Sequence, residues 1–244
     1  MISRVTQQPI IDWIAGATLT RGFMALVALM LGLLIAGVWR TSGRGTALAL
    51  AAALGLGLAG TGFLALRGDL FQAEPLPTPL MRCFAGAMVL CLAIGLSPVG
   101  RRLAQGTPLW VLVGIHSFRL PLELQLHELV ALGLLPEAMT WTGLNLDVIT
   151  GVSALPVAAW LRRHPSRTLA LTWTGMGLVL LGIVLTVAIQ TVPGPLQRFE
   201  PPNGVVQRVP WVWLPTVLVP SALLGHVLVL RRLIGWRRDA VGGS

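Results

Sequence analysis

His116, Arg119, Glu123, His127 and Glu128 interrupt a stretch, 108–135, that is otherwise apolar enough to cross a bilayer: PLWVLVGIHSFRLPLELQLHELVALGLL. On an α-helix, at about 100° per residue, His116, Glu123 and His127 fall within roughly 40° of one another and Arg119 lies about 60° from His116. They form one polar stripe. An acid or arginine at the centre of a spanning helix costs about 2.5–3.5 kcal/mol, so Arg119, Glu123 and Glu128 facing lipid would offset most of what the neighbouring leucines and valines supply. The stripe must face protein or water.

Each pairing on the stripe suits a definite chemistry. Glu123 and His127, four residues apart, place a carboxylate beside an imidazole, which serves a proton relay, metal ligation or a structural hydrogen-bonded pair. With Asp147 they make a three-residue candidate for a divalent metal. Arg119 and Glu123 are also four apart and can form an ion pair that lowers the cost of burying both. His116 and His226, counted from their span ends, fall at a similar depth on two helices, where neutral imidazoles could be axial ligands of a b-type haem. Asn145 and Asp147 open the next apolar stretch, where they can satisfy free N–H groups at a helix start or converge with Glu123 in one hydrated pocket. The candidate ligand or proton site is therefore His116, Arg119, Glu123, His127, Asn145, Asp147 and His226. The text HELVA resembles a zinc-protease helix, but the second histidine is replaced by Ala131.

Positioning this site requires membrane helices. With 55% hydrophobic and 11% charged residues over 244 positions, the chain has too little polar surface for an ordinary soluble domain. The apolar runs predict an all-α, polytopic bundle of about seven transmembrane helices over 23–232, with spans at 23–39, 46–66, 83–99, 108–135, 142–161, 168–191 and 211–230. Residues 1–22 read as an interfacial segment and 233–244 as a short cytoplasmic tail. Pro121, inside the fourth span, removes a backbone hydrogen bond and predicts a kink within the polar stripe. Pro215 and Pro220 break the last span. Cys83 and Cys91 share one helix and cannot form a disulfide with each other.

All 18 basic residues are arginine. Without lysine there is no retinal Schiff base, and no phosphate-cradling glycine loop, Cys-x-x-Cys or serine-hydrolase elbow is present. A basic excess in such a chain reports orientation and contact with anionic lipid rather than nucleic acid. Placing Arg40, Arg44, Arg101, Arg102, Arg162, Arg163, Arg167, Arg231, Arg232, Arg237 and Arg238 inside leaves Arg4, Arg21, Arg67, Arg82, Arg198 and Arg208 outside. This predicts amino terminus out and carboxyl terminus in.

The runs FRLPLELQLHELVALGLLPEAMTWTGLNLDVITG and VWLPTVLVPSALLGHVLVLRRL resemble a group of uncharacterised bacterial polytopic membrane proteins. The resemblance covers spans four, five and seven. It implies a shared seven-helix build in a bacterial cytoplasmic membrane and carries no reaction, cofactor or substrate. The expectation is a buried polar site on those three spans that binds or translocates a small solute or protons. A metal- or haem-dependent membrane enzyme and a structural or assembly factor without a ligand are the competing classes.

Overall fold

The computed structural model describes residues 16–241, with side chains through Gly235. Among the described residues every regular element is helical. We number them α1 (Ala17–Ser42), α2 (Arg44–Arg67), α3 (Pro79–Leu96), α4 (Pro98–Gly106), α5 (Leu109–Gly114), α6 (Arg119–Ala131), α7 (Val148–Arg163), α8 (Arg167–Ile189) and α9 (Val219–Val241). Five helical segments are long and apolar enough to cross a membrane: α1, α2, α3, α8 and Leu214–Gly235, which includes most of α9.

Local chemistry sets several boundaries. Gly43, at φ 88°, separates α1 from α2, and Gly68, at φ 79°, ends α2; such left-handed backbone suits glycine, which has no Cβ to clash. Thr78 caps α3, its hydroxyl accepting from the Met81 N–H at 3.3 Å, and Pro79 occupies the first helical position, where its missing N–H costs nothing. Ser97 and Pro98 repeat the device for α4. The 97–107 stretch, read as the end of a span and a connector, is thus largely helical.

The Leu214–Gly235 segment is the hub. Half of its apolar window is buried, more than in any other membrane-length helix. It packs on α3, α4, α5 and α8. Its entry is a π-turn, Leu214–Leu218, because Pro215 and Pro220 deny two N–H groups to the ordinary ladder. Arg231 donates to the carbonyls of Gly95 and Ser97 at 2.6 and 2.7 Å, fastening the end of α3 to α9. Large apolar side chains such as Leu56, Leu66, Val89, Leu155 and Val179 face outward, as lipid contact requires.

Three expectations change. The 108–135 stretch is not one helix: α5 passes into a 3-10 turn, Ile115–Phe118, before α6 begins. The turn falls in the polar stripe and includes Ser117, the residue whose α-helical hydrogen bond the missing N–H of Pro121 removes. The 142–161 stretch becomes helical only at Val148, after an irregular segment whose Met139, Thr140 and Asn145 are buried. Both α6 and α7 fall short of the 18-residue length of the shortest of the five long helices. Finally, the first helix starts at Ala17 rather than 23 and α9 continues through Val241 rather than ending at 230; residues 1–15 of the expected interfacial segment lie outside the described residues.

Candidate functional site

The site forms where two helices stop short inside the bundle. α6 begins at Arg119 and α7 begins after Asp147, and the 137–147 segment fills the space between them. Protein buries this irregular backbone at Met139, Thr140 and Asn145, and Met139, Asn145 and Asp147 line a cavity.

Arg119 is the junction. It is buried, and its Nη1 donates to Asp147 Oδ1 in an ion pair. Its Nη2 lies 3.2 Å from His226 Nε2. A guanidinium only donates, so Nε2 of His226 accepts and the ring proton resides on Nδ1, the neutral tautomer. The His226 ring then meets His116, with centroids 4.2 Å apart and a 38° tilt, and Trp173 closes the cluster edge-on to His116 at 5.2 Å. Both histidines are fully buried, and neither ring nitrogen of His116 has a hydrogen-bond partner.

A second arm joins through the backbone. Asn145 donates from Nδ2 to Glu123 Oε2 at 2.7 Å and to the Met139 carbonyl at 3.0 Å. Its Oδ1 accepts from the Asp147 N–H at 3.1 Å. One amide therefore ties the Glu123 carboxylate to the residue that neutralises Arg119.

Glycines make the close approach feasible. A Cβ on Gly225 would stand 2.5 Å from His116 Nε2, and one on Gly177 would collide with the His226 ring. A Cβ on Gly151 would stand 2.9 Å from the Leu120 nitrogen, beside Arg119. α9, α8 and α7 each carry a glycine where a site residue crosses them.

The site opens on a cavity of about 120 Å³. Arg119, Glu123, Asn145, Asp147 and Asn203 line one part of it; the rest is apolar wall from α3, α6, α8 and the start of the α9 segment. Asn203 comes from the 190–213 loop, where it is buried and donates its backbone N–H to the Thr191 carbonyl at 2.8 Å. The sequence offered no signal for Asn203, which sits in a proline-rich loop.

Six of the seven residues singled out are thus brought into one network: His116, Arg119, Glu123, Asn145, Asp147 and His226. His127 is not. Its ring stacks on Trp141, with centroids 4.5 Å apart, and does not line the cavity. Among the described residues no three histidine, cysteine, aspartate or glutamate side chains converge as metal ligands would, so Glu123, His127 and Asp147 do not form the expected triad. The ion pair expected between Arg119 and Glu123 is instead Arg119 with Asp147. The haem reading fails on space, because rings in direct contact leave no gap for a macrocycle and its iron between them. Asp147 makes no capping hydrogen bond at the start of α7, its carboxylate being turned to Arg119.

Five membrane-length apolar helices around a buried ionic network define an integral membrane protein of the helical-bundle class. The chain belongs to the family described as Domain of unknown function (DUF8737), whose model matches residues 77–234. That range holds the whole network and leaves out α1 and α2. No curated protein matches the chain, and no solved structure does.

Proposed function

We propose that the protein binds a small, hydroxyl-bearing solute in the cavity beside Arg119, Glu123, Asn145 and Asp147. The observation that carries this reading is a buried network that forms one wall of the cavity and leaves polar atoms unmatched on the residues that line it. Arg119 Nε and Glu123 Oε1 have no hydrogen-bond partner, although both residues are almost fully buried and line the space. An unmatched buried polar atom costs about 1–3 kcal/mol, so a side-chain rotation that turned Nε and Oε1 toward a ligand hydroxyl would recover it. Solute binding is favoured over proton passage because protein groups carry the chain no further than His116, whose ring nitrogens meet no partner.

The surrounding architecture in this reading is a seven-crossing bundle in a bacterial cytoplasmic membrane, amino terminus outside and carboxyl terminus inside. α5 with α6 and α7 supply the two crossings beyond the five long helices. The arginine-rich ends at Arg101, Arg102, Arg162, Arg163, Arg231 and Arg232 then meet anionic lipid on the inner face. The network occupies the middle of the bundle and the cavity its outer half.

The test uses n-butanol as probe and Leu122→Cys, on the cavity wall, in a protein whose Cys83 and Cys91 are changed to alanine. Butanol is expected to slow modification of the new thiol by N-ethylmaleimide at least several-fold, and Glu123→Gln, which leaves the Arg119–Asp147 pair intact, is expected to weaken that protection in a protein that still elutes as a monodisperse species. Equal modification rates with and without butanol would overturn the reading.

A further inference from the structure

α4 fills a stretch expected to be a span end and a connector, and its chemistry differs from that of the long helices. Its nine residues rise only about 14 Å, far short of a crossing. Gly100, Leu103 and Ala104 are buried, whereas Arg101, Arg102 and Gln105 are exposed. One face is therefore apolar and the other basic. The apolar face rests on α1, where a Cβ on Gly37 would stand 2.7 Å from Leu103 Cδ1 and one on Gly106 would stand 2.6 Å from Thr41 Cγ2. From α9, Arg231 donates to the Ser97 carbonyl at the start of α4, and Arg232 donates to the Gln105 carbonyl near its end at 2.8 Å. Those two arginines hold α4 in place through its backbone. Arg101 and Arg102 are left facing outward.

Charge around α4 is of one sign. Arg40 and Arg44, on either side of the α1–α2 junction, are exposed, and so are Arg162 and Arg163 at the end of α7. The Arg162 guanidinium stands 5.1 Å over the ring of Trp110, just past α4, which places the end of α7 at the same end of the bundle. Among the described side chains this end holds no carboxylate: Asp69, Glu74, Glu128, Glu137 and Glu200 lie toward the opposite end, and Glu123 and Asp147 belong to the network. The ion pairs found among the described residues, Arg67 with Asp69 and Arg119 with Asp147, are also elsewhere. Trp39, next to Arg40, and Trp110 are exposed at this level, and tryptophan favours the depth of lipid headgroups. An acidic soluble protein would account for the arginines but not for the tryptophans beside them. A phosphate at the bilayer surface accounts for both.

We infer that the outward face of α4 is a binding site for one anionic phospholipid, whose phosphate is held by Arg101 and Arg102. This goes beyond a general contact of the arginine-rich ends with anionic lipid by placing a discrete site on one helix, and it does not depend on what the cavity binds. A guanidinium offers a phosphate two parallel N–H donors, and two of them side by side match its several oxygens. A zwitterionic head carries the same phosphate next to a cation, which the surrounding arginines repel. Selectivity therefore rests on the net charge of the head.

The test releases the full chain from mixed micelles holding equal amounts of phosphatidylglycerol and phosphatidylcholine with the same acyl chains, and counts retained lipid by native mass spectrometry. The expected result is a single retained phosphatidylglycerol, in about tenfold excess over phosphatidylcholine. Each arginine at a membrane surface strengthens such binding about fivefold, so Arg101→Gln with Arg102→Gln should reduce retention about 25-fold. The same charge change at the α7 end, Arg162→Gln with Arg163→Gln, should reduce it no more than about twofold, since those side chains lie off α4. Arg101→Lys with Arg102→Lys keeps the charge but loses the planar fork, and its retention should fall between the unchanged chain and the glutamine variant. All four positions are exposed, so each variant is expected to elute as a monodisperse species. Equal retention of the two lipids, an equal loss from the two glutamine pairs, or displacement of the lipid by glycerol 3-phosphate would overturn the site on α4.

Discussion

Arg119 commits its two terminal nitrogens to partners on two other helices, Asp147 at the start of α7 and His226 on α9. Removing one member of a buried pair leaves the other uncompensated, which costs about 3–5 kcal/mol, whereas replacing both with apolar groups is far milder. Asp147→Asn is therefore expected to lower the unfolding midpoint in detergent strongly, and Arg119→Leu combined with Asp147→Leu to lower it less than the sum of the single changes. Glu123→Gln should be nearly silent in the same assay, about 1 kcal/mol or less, because an amide oxygen can still accept from Asn145. Additive losses at 119 and 147, or a large loss at 123, would contradict the pairing seen. The stripe was readable from spacing alone, since His116, Arg119 and Glu123 do turn inward. The partner of Arg119 was not, because helical spacing ranks only neighbours on the same helix and Asp147 lies 28 residues away.

At the scale of elements, the glycines divide into two kinds. Gly225 and Gly177 admit the histidine rings, while Gly55, Gly57 and Gly60 on α2 have nothing within 4 Å of a built Cβ. Gly225→Ala must push His116 away from its ring partner and is expected to cost about 1–3 kcal/mol, the usual penalty of overpacking. Gly55→Ala should be neutral or mildly stabilising, since alanine is the better helix former. Thermal unfolding of the two variants side by side distinguishes them, and equal behaviour would mean the ring contacts are not tight. Sequence periodicity located the long helices within a few residues, because uninterrupted apolar runs leave little freedom. The 3-10 turn at Ile115–Phe118 contains Ser117, the residue four before Pro121, so the departure from regular helix lies where that proline withholds its N–H. Counting residues from the span ends put His116 and His226 at one level, and their rings touch.

For the whole molecule, the shortness of α6 and α7 bears on the number of crossings more than on its parity. If α5 with α6 and α7 both cross, the crossings number seven; if the pair turns back within the membrane, they number five. Either count is odd and would put the ends on opposite faces, as the proposed topology requires. A reporter fused after Arg238 is expected to read cytoplasmic and one in the 198–208 loop external, and the reverse pattern would invert the assignment of the cavity to the outer half. The long separation between Arg119 and its counter-ion also bears on how the chain is made. Three charged groups on α6 carry an insertion penalty of roughly 8–10 kcal/mol while they are alone, and Asp147 leaves the ribosome about 1–6 s after Arg119 at ordinary rates of synthesis. α6 cannot settle in lipid during that interval as an ordinary apolar helix would. If α6 and α7 enter together as a hairpin, the Arg119–Asp147 pair forms before either helix faces lipid alone, and only Glu123 and Glu128 remain to be covered by protein or water.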